Sequence, residues 1–138
     1  MRDGESIFVD SGAWIALALV RDPYHQQARD HWQDFLARGA RLSTSIPVIL
    51  ETSTFLARNA TMDVALTWKD SLESVSGLQT LECRKVDLAK SWSYFRRKDL
   101  HKLSAVDATS FAIMTRQSIK YAFAFDHHFM TAGFHLVG

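Results

Sequence analysis

The chain has 138 residues, of which 47% are hydrophobic and 22% are charged, a composition typical of one globular domain and not of a disordered segment. Sixteen lysines and arginines against fifteen aspartates and glutamates give a formal net charge of +1, which excludes the strongly basic class of nucleic-acid binders. The single cysteine excludes an internal disulfide and a cysteine-based zinc site, and it favours a reducing compartment.

No segment has the character of a membrane span or a secretion signal. The most apolar early run, residues 13–20, is far shorter than the roughly 20 residues that a membrane helix needs. Acidic residues, Asp3 and Glu5, precede it where a signal peptide would be basic. We therefore expect a cytoplasmic protein without membrane partners. Since no linker, repeat or low-complexity tract divides the chain, we expect a single domain over residues 1–138.

Short apolar strands alternate with amphipathic helices along the chain. In chain order we predict a strand over residues 6–10, a helix over 13–19, a helix from Asp22-Pro23 to Gly39, a strand over 41–45, a helix from Pro47 to about residue 59, a helix from Thr61 to Gly77, a strand over 78–83, a helix capped by Asp87, a helix from Ser104 to about residue 119, a strand over 121–125, a short helix and a strand over 134–137. Hairpin turn signals are absent, so this alternation predicts an α/β fold with a central parallel sheet of four to five strands and helices on both faces, a three-layer α/β/α sandwich.

Four acidic residues occupy positions that solvated charges rarely take. Asp10 and Asp126 stand at the carboxyl ends of two predicted strands, where open parallel sheets bind ligands. Asp107 begins a helix with an apolar body, and Glu51 lies within an apolar helix. An unpaired, ionised carboxylate that is buried on an apolar face lowers the stability of the fold by roughly several kcal/mol. The four positions together favour a functional site.

Each of these residues also has a structural interpretation. Ser104 and Asp107 form an S-x-x-D pattern close to a capping box, while Asp10 and Asp126 suit the caps of the helices that follow them. Glu51 would then form a salt bridge with an arginine. If the four carboxylates instead converge, their repulsion raises one or more pKa values unless a cation lies among them. Hard divalent ions prefer such oxygen ligands, and Mg²⁺ binds through a few carboxylates together with substrate phosphate.

These residues lie in segments that resemble the PIN-domain nucleases, and specifically the VapC-type toxin ribonucleases of type II toxin–antitoxin systems. The resemblance spans nearly the whole chain and keeps the order of the family's segments. The matching segments are V-D-S-G-A-W-I-A-L at residues 9–17, I-P-V-I-L-E-T at 46–52, L-S-A-V-D-A-T-S-F-A at 103–112 and F-D-H-H-F at 125–129. Gly12 departs from the small or polar residue that is more usual at its position.

The resemblance implies a metal-dependent endoribonuclease that uses Mg²⁺ or Mn²⁺ and leaves 5′-phosphate and 3′-hydroxyl ends. The family's acidic quartet falls on Asp10, Glu51, Asp107 and Asp126 as catalytic and metal-binding residues. Asp10 and Asp107 would be the main metal ligands, and Glu51 and Asp126 would complete the shell. The resemblance also implies RNA as substrate, a small cognate antitoxin as partner and a homodimer.

A basic run precedes the Ser104 helix and is a candidate RNA-binding segment. RNA near an acidic site needs local cations, because its phosphates are otherwise repelled. The candidate residues are Arg96, Arg97, Lys98 and Lys102. A solvated helix end is the alternative for this run. Arg58 and Arg116 would face phosphate or pair with acids.

The aromatic and histidine side chains outside the quartet receive structural interpretations. The four tryptophans suit core positions better than base stacking. His127 and His128 are expected on the surface with their side chains pointing apart.

Three classes of function remain open from the sequence. The first is the ribonuclease, either a toxin or a housekeeping RNA-processing enzyme. The second is a phosphatase of the haloacid-dehalogenase type, against which Gly12 argues because that class carries D-x-D at the first strand. The third is a catalytically silent PIN-like binding module, against which the complete quartet argues.

Overall fold

Short strands and the helices between them build a single parallel sheet in the computed structural model, which describes residues 3–137. The strands are β1 (Ser6–Val9), β2 (Arg41–Ser45), β3 (Gln79–Leu81), β4 (Tyr121–Phe123) and β5 (His135–Leu136). The helices are α1 (Ser11–Ala18), α2 (His25–Ala37), α3 (Ile46–Asn59), α4 (Met62–Leu72), α5 (Lys85–Phe95), α6 (Ala105–Arg116) and α7 (His128–Thr131). The predicted α/β fold with a parallel sheet is confirmed.

The strand order is β3-β2-β1-β4-β5, with β1 at the centre and all pairs parallel. Phe8 of β1 lies opposite Ser43 on one side and Ala122 on the other. The chain moves outward from β1 to β3 and later returns to the other side of β1 at β4. Parallel sheets bind ligands beyond the carboxyl ends of strands where the order reverses in this way. The fold therefore places a binding crevice beyond β1 and β4.

The core covers both faces of the central strand. Ile7, Phe8 and Val9 are all fully buried, although successive side chains of a strand point to opposite faces. Helices must therefore cover both faces of the sheet. Phe35 of α2 and Phe111 of α6 are among the buried side chains that fill these layers.

Three of the four tryptophans lie in the core or against it, as expected. Trp14 contacts both of the others: its ring packs against those of Trp32 and Trp68. Its indole N–H donates a hydrogen bond to Thr44 Oγ1 at 3.1 Å. The expectation is wrong for Trp92, whose residue surface is 47% exposed.

The start of α2 differs from the prediction at Asp22-Pro23. The helix begins at His25, with Tyr24 as its N-cap residue. Asp22 Oδ1 accepts a hydrogen bond from the Tyr24 N–H at 2.8 Å, so the aspartate closes a turn before the helix. The predicted helix start is therefore wrong by two residues, since Tyr24 and not Asp22 is the N-cap residue.

The start of α5 also differs, because Asp87 is not its N-cap residue. The helix begins at Lys85 after the N-cap Arg84, and Asp87 Oδ2 accepts the Arg84 N–H at 2.8 Å. The Asp87 carboxylate also forms an ion pair with Arg116 of α6 at 2.9 Å. Asp87 and Ser91 therefore form the buried side of α5. The apolar residues on the other side, Leu88, Trp92 and Phe95, are exposed.

Within residues 3–137, no helix is both long enough and apolar enough to cross a membrane.

Candidate active site

Two neighbouring strands deliver the first pair of carboxylates. Asp10 directly follows β1, and its N–H donates a hydrogen bond to the Phe123 carbonyl at the end of β4, with a distance of 3.0 Å. Asp126 follows β4 after two further residues. Because β1 and β4 are parallel neighbours, the two carboxylates meet at the carboxyl edge of the sheet.

Two capped helices deliver the second pair. Ser45 caps α3 by accepting the Val48 N–H at 3.2 Å, and Glu51 follows on this helix as a half-buried side chain. Ser104 caps α6 by accepting the Asp107 N–H at 3.0 Å, which fixes Asp107 in the first turn, 7% exposed. The Asp107 and Asp126 carboxyl groups share a hydrogen bond. The structure thus brings the four acidic side chains to one place.

Ser11 joins this group, although no role was predicted for it from the sequence. Its hydroxyl donates a hydrogen bond of 2.5 Å to Glu51 Oε1. The serine is fixed at the first turn of α1, so it holds the Glu51 carboxylate against the end of β1. The available signal was its place directly after Asp10.

Burial and mutual repulsion raise the pKa of two carboxyl groups. Burial raises the pKa of Asp10 to about 7; the N–H of Ser11 opposes the increase, and repulsion from Glu51 and Asp126 adds to it. Burial raises the pKa of Asp107 to about 9, with repulsion from Asp10 as the next cause. The expectation that converging carboxylates without a cation acquire raised pKa values is confirmed.

The pKa of Asp126 is lowered, which distinguishes it from its neighbours. Burial acts to raise the pKa of this carboxyl group, but hydrogen bonds to the carboxylate outweigh it. The His128 N–H donates to Oδ1 at 2.9 Å, and the His128 ring nitrogen Nδ1 lies 3.2 Å from Oδ2. Asp126 therefore remains ionised more readily than Asp10 and Asp107.

His128 is not a surface residue, contrary to the expectation from the sequence. Its side chain is 14% exposed, and Nε2 lies 2.9 Å from the His101 carbonyl oxygen. His127 is exposed, yet the two rings lie 4.8 Å apart instead of pointing away from each other. The reason is that α7 begins here, and successive side chains of a helix diverge by about 100° only.

The structural interpretations of the acidic residues hold only in part. The Asp10 side chain makes no capping hydrogen bond to α1. Glu51 forms no ion pair with any residue of the described chain, 3–137, so the arginine salt bridge is absent there. Ser104 caps α6 as expected, and Asp126 does accept the N–H of a following turn. Local capping therefore accounts for Asp126 alone among the four carboxylates.

The donor set fits a hard divalent cation. Among the described residues, Asp10 Oδ1 is buried and has no hydrogen-bond partner, which is costly for a carboxylate oxygen. Asp107, Asp126 and His128 each offer a ligand atom within 4.8 Å of the others. A cation bound between the carboxylates of Asp10, Asp107 and Asp126 would give Asp10 Oδ1 a partner and would favour the ionised forms of Asp10 and Asp107.

Comparison with known proteins identifies the family. Residues 7–134 match the family model of the PIN domain. The chain belongs to the PIN domain family. The 23S rRNA-specific endonuclease VapC20 of Mycobacterium tuberculosis is 35% identical over 129 residues, which are 93% of this chain and 95% of that protein. The resemblance seen in the sequence motifs is confirmed.

Solved structures share the fold of this PIN domain. The crystal structure of Mycobacterium tuberculosis VapC20, a Sarcin-Ricin loop cleaving toxin, has a TM-score of 0.82 at 31% identity, covering 93% of this chain and 95% of that one. FitAcB from Neisseria gonorrhoeae has a TM-score of 0.70 at 13% identity, covering 96% of each chain. VapBC2 from Rickettsia felis, bound to a DNA fragment from its promoter, has a TM-score of 0.68 at 10% identity, covering 96% and 97%.

The basic run of the PIN domain lies in the loop between α5 and α6. Arg97 forms an ion pair with Asp99 at 2.6 Å and donates to the Thr131 carbonyl at 3.1 Å, so it holds the loop against α7. Arg96, Lys98 and Lys102 are exposed. The loop reaches the acidic cluster through the contact between His101 and His128. Three of the four candidate RNA-binding side chains are thus exposed in a loop that ends at the site.

Two further residues of the PIN domain have clear surroundings. Arg116 pairs with Asp87 and not with phosphate, which agrees with the structural alternative. Gly12 lies beside Asp10, but a Cβ atom added there would stand 3.9 Å from Asp10 Oδ2, an ordinary contact distance. The site therefore does not require glycine at this position.

Proposed function

We propose that this PIN domain is a Mg²⁺- or Mn²⁺-dependent endoribonuclease that hydrolyses RNA to 5′-phosphate and 3′-hydroxyl ends. The observation that carries the proposal is the convergence of four carboxylates around the buried, unpartnered Asp10 Oδ1. Asp10, Glu51, Asp107 and Asp126 are the proposed catalytic and metal-binding residues. A divalent ion held there supplies neutralisation of phosphate charge and activation of water.

The residues of the chain would divide the work of holding the ion and the substrate. Asp10 and Asp107 are the proposed main ligands, since they are the most buried and carry the raised pKa values. Glu51, held by Ser11, and Asp126, held by His128, would complete the shell. Their hydrogen bonds fix the carboxylate directions before substrate binds, which reduces the reorganisation needed during reaction.

RNA is the proposed substrate, and the role of a toxin is proposed over housekeeping RNA processing. The support is the 35% identity to an endonuclease named for its action on 23S rRNA. The exposed cations Arg96, Lys98 and Lys102 beside the acidic cluster offer the local positive charge that RNA requires. A catalytically silent binding module would have no use for the buried, mutually repelling carboxylates, which destabilise the folded chain.

A small antitoxin is the proposed protein partner. Supporting observations are the toxin–antitoxin names of the structural neighbours and an apolar groove of about 570 Å³ between α1, α2 and α4. Trp14, Trp32 and Trp68 line this groove and would receive apolar side chains of the partner. A homodimer and a cytoplasmic location are proposed from family membership. Co-expression with the product of the adjacent reading frame, followed by a test of whether it inhibits cleavage, would test the toxin role.

The ribonuclease activity is tested by cleavage of end-labelled RNA across a titration of Mg²⁺ and Mn²⁺, with EDTA as the metal-free arm. We expect cleavage only with metal, and products that ligate through a 5′-phosphate without prior kinase treatment. Cleavage that persists in EDTA, or products with a 2′,3′-cyclic phosphate, would contradict the metal-dependent mechanism. Absence of any cleavage, combined with tight metal and RNA binding, would favour the silent module.

A further inference from the structure

A groove leads from the acidic cluster along one side of α3. Its volume is about 620 Å³, and its walls come from α3 and from Val106 of α6. Glu51, Phe55 and Arg58 line it at positions i, i+4 and i+7 of α3, so the three side chains form a row on one face of the helix. Since Glu51 belongs to the acidic cluster, the groove is continuous with the candidate active site.

The chemistry of this row changes from anionic to aromatic to cationic. Phe55 is 38% exposed, and Val48, Thr52 and Leu56 supply the buried side of α3 instead. No other ring of residues 3–137 packs against the Phe55 ring. Arg58 is exposed and forms neither an ion pair nor a side-chain hydrogen bond within the described chain. An accessible ring and an accessible guanidinium thus stand side by side.

The Phe55 ring and the Arg58 guanidinium suit the base and the phosphate of a nucleotide. An unpaired base stacks on an aromatic ring, and a guanidinium binds a phosphate oxygen through charge-assisted hydrogen bonds. At a rise of 1.5 Å per residue, the Cα atom of Arg58 lies about 10 Å along α3 from that of Glu51. A phosphate at Arg58 would therefore be one beyond the bond at the acidic cluster and not the scissile phosphate itself.

We propose that this groove binds the unpaired nucleotide adjacent to the scissile bond, with its base on Phe55 and its phosphate on Arg58. The inference rests on the proposed function, since it assigns the groove to the RNA substrate of the same site. The cation at the far end attracts the strand that the four carboxylates repel. A base within a duplex has both faces covered by its neighbours, so the groove selects RNA that is unpaired at this nucleotide.

Binding is measured by fluorescence anisotropy with a labelled single-stranded RNA oligonucleotide, and with the same strand annealed to its complement. Asp10→Asn is the common background, which prevents cleavage during the measurement. Phe55→Ala should weaken Kd for the single strand by about 5- to 150-fold, the range for loss of one stacked base. Phe55→Leu should lose nearly as much, because it keeps apolar bulk without a ring, whereas Phe55→Tyr should bind as the background does.

Arg58 is tested by the salt dependence of the same binding. Arg58→Ala should lower the slope of log K against log salt by about 0.7, the value for one phosphate contact on a single strand, and Arg58→Lys should keep it. Leu36→Ala and Arg41→Ala are matched controls, since both side chains are exposed and Arg41 begins β2, at the end of the strand opposite to the carboxyl ends that carry the acidic cluster.

The outcomes separate the groove from the proposed function. Wild type that cleaves RNA while the Phe55 and Arg58 variants bind like the controls would overturn the groove and leave the nuclease intact. Wild type that never cleaves, but binds RNA through Phe55 and Arg58, would contradict the nuclease alone. A Phe55→Ala variant with unchanged RNA binding and a lower mass in sedimentation equilibrium would assign the groove to a second copy of the chain, against the inference.

Discussion

Asp10 and Asp107 differ from ordinary aspartates in that the fold buries them before any ligand is bound. Burial is the largest cause of the raised pKa of each, and their neighbours in the cluster add repulsion. Burying an ionisable carboxyl group destabilises its charged form, so a residue of this kind is expected to serve binding or catalysis. Asp10 and Asp107 therefore mark a functional site, and their carboxylate oxygens favour a hard divalent cation as its ligand.

Replacing either buried aspartate should abolish cleavage and preserve the fold. Asp10→Asn and Asp107→Asn keep nearly the same shape but remove a charge that the metal requires. We expect at least about a 100-fold loss of cleavage rate, the upper range for changes to residues that only support metal ligands. Circular dichroism should be unchanged. Asp30→Asn, an exposed aspartate on α2, is the matched control. Full activity in either buried variant would contradict the assignment.

His128 is expected to act as a positioning residue that orients Asp126. An asparagine at 128 can place its amide nitrogen near the position of Nδ1 and keep the bond to Asp126, whereas a glutamine can reach the His101 carbonyl as Nε2 does. His128→Gln should therefore weaken Mn²⁺ binding by about 10-fold or more, and His128→Asn should weaken it less. Calorimetric titration with Mn²⁺ measures both, with the exposed His127→Gln as control.

Equal losses in the two variants would show that the imidazole serves packing and not the orientation of Asp126. Unchanged affinity in both would remove His128 from the site altogether.

At the scale of helices and strands, the sequence predicted what depends on local pattern. Apolar strands without hairpin signals predicted the parallel sheet, and the carboxylates at strand ends predicted that Asp10 and Asp126 would meet. The contact of His128 with His101 joins residues 27 positions apart, and nothing in the local pattern indicates it. The exposure of the apolar side of α5 could not be predicted from the sequence either, because periodicity shows that a helix has an apolar face but not whether another element covers it.

The buried side of α5 has a specific cause that the sequence concealed. Arg116, the last residue of α6, donates two hydrogen bonds of 2.9 Å to the Asp87 carboxylate. This pair lowers the pKa of Asp87, chiefly through the hydrogen bond from Arg116, and directs the polar side of α5 inward. From the sequence, Asp87 was predicted to be the N-cap residue of α5. Aspartate is common both at the N-cap and in the first turn of a helix, so its presence does not distinguish the two positions.

The loop between α5 and α6 carries the prediction about RNA phosphates. If Arg96, Lys98 and Lys102 contact RNA, their joint replacement by glutamine should flatten the slope of log K against log salt by about 2, near 0.7 for each cation on a single strand. Mn²⁺ affinity should remain unchanged. The control replaces Arg29, Arg41 and Lys120, which are equally exposed. A slope equal to that of the control would assign the run to a solvated helix end.

At the scale of the whole molecule, the apolar residues support one folding unit. The buried side chains described in residues 3–137 form one connected cluster that includes β1, β4 and residues of α1 to α4 and α6. We therefore propose a single domain over residues 1–138. The acidic cluster stands at the edge of this core, so its electrostatic state is linked to the stability of the entire fold.

This linkage fixes the sign of the pH dependence without metal. The folded-state pKa values of Asp10 and Asp107, about 7 and about 9, lie above the ordinary value of 3.8, so the folded chain binds more protons than the unfolded chain between these values. The contribution of these groups to stability is complete below about pH 4 and is lost as pH rises through about 7 to 9. Thermal melting in EDTA from pH 5 to pH 9 should show a falling Tm, less steep in Asp10→Asn.

The most direct test of the central claim, that four carboxylates form one divalent-ion site, is the melting temperature with and without Mn²⁺ near neutral pH in wild type and Asp10→Asn. An ion that binds only the folded chain adds about 2.7 kcal/mol at a hundredfold excess over Kd, which raises Tm by on the order of 10 °C. We expect this increase in wild type, beyond that in NaCl of matched ionic strength. For Asp10→Asn we expect a higher metal-free Tm and a much smaller response to the ion. If both proteins responded identically to Mn²⁺, the four carboxylates would not form one site.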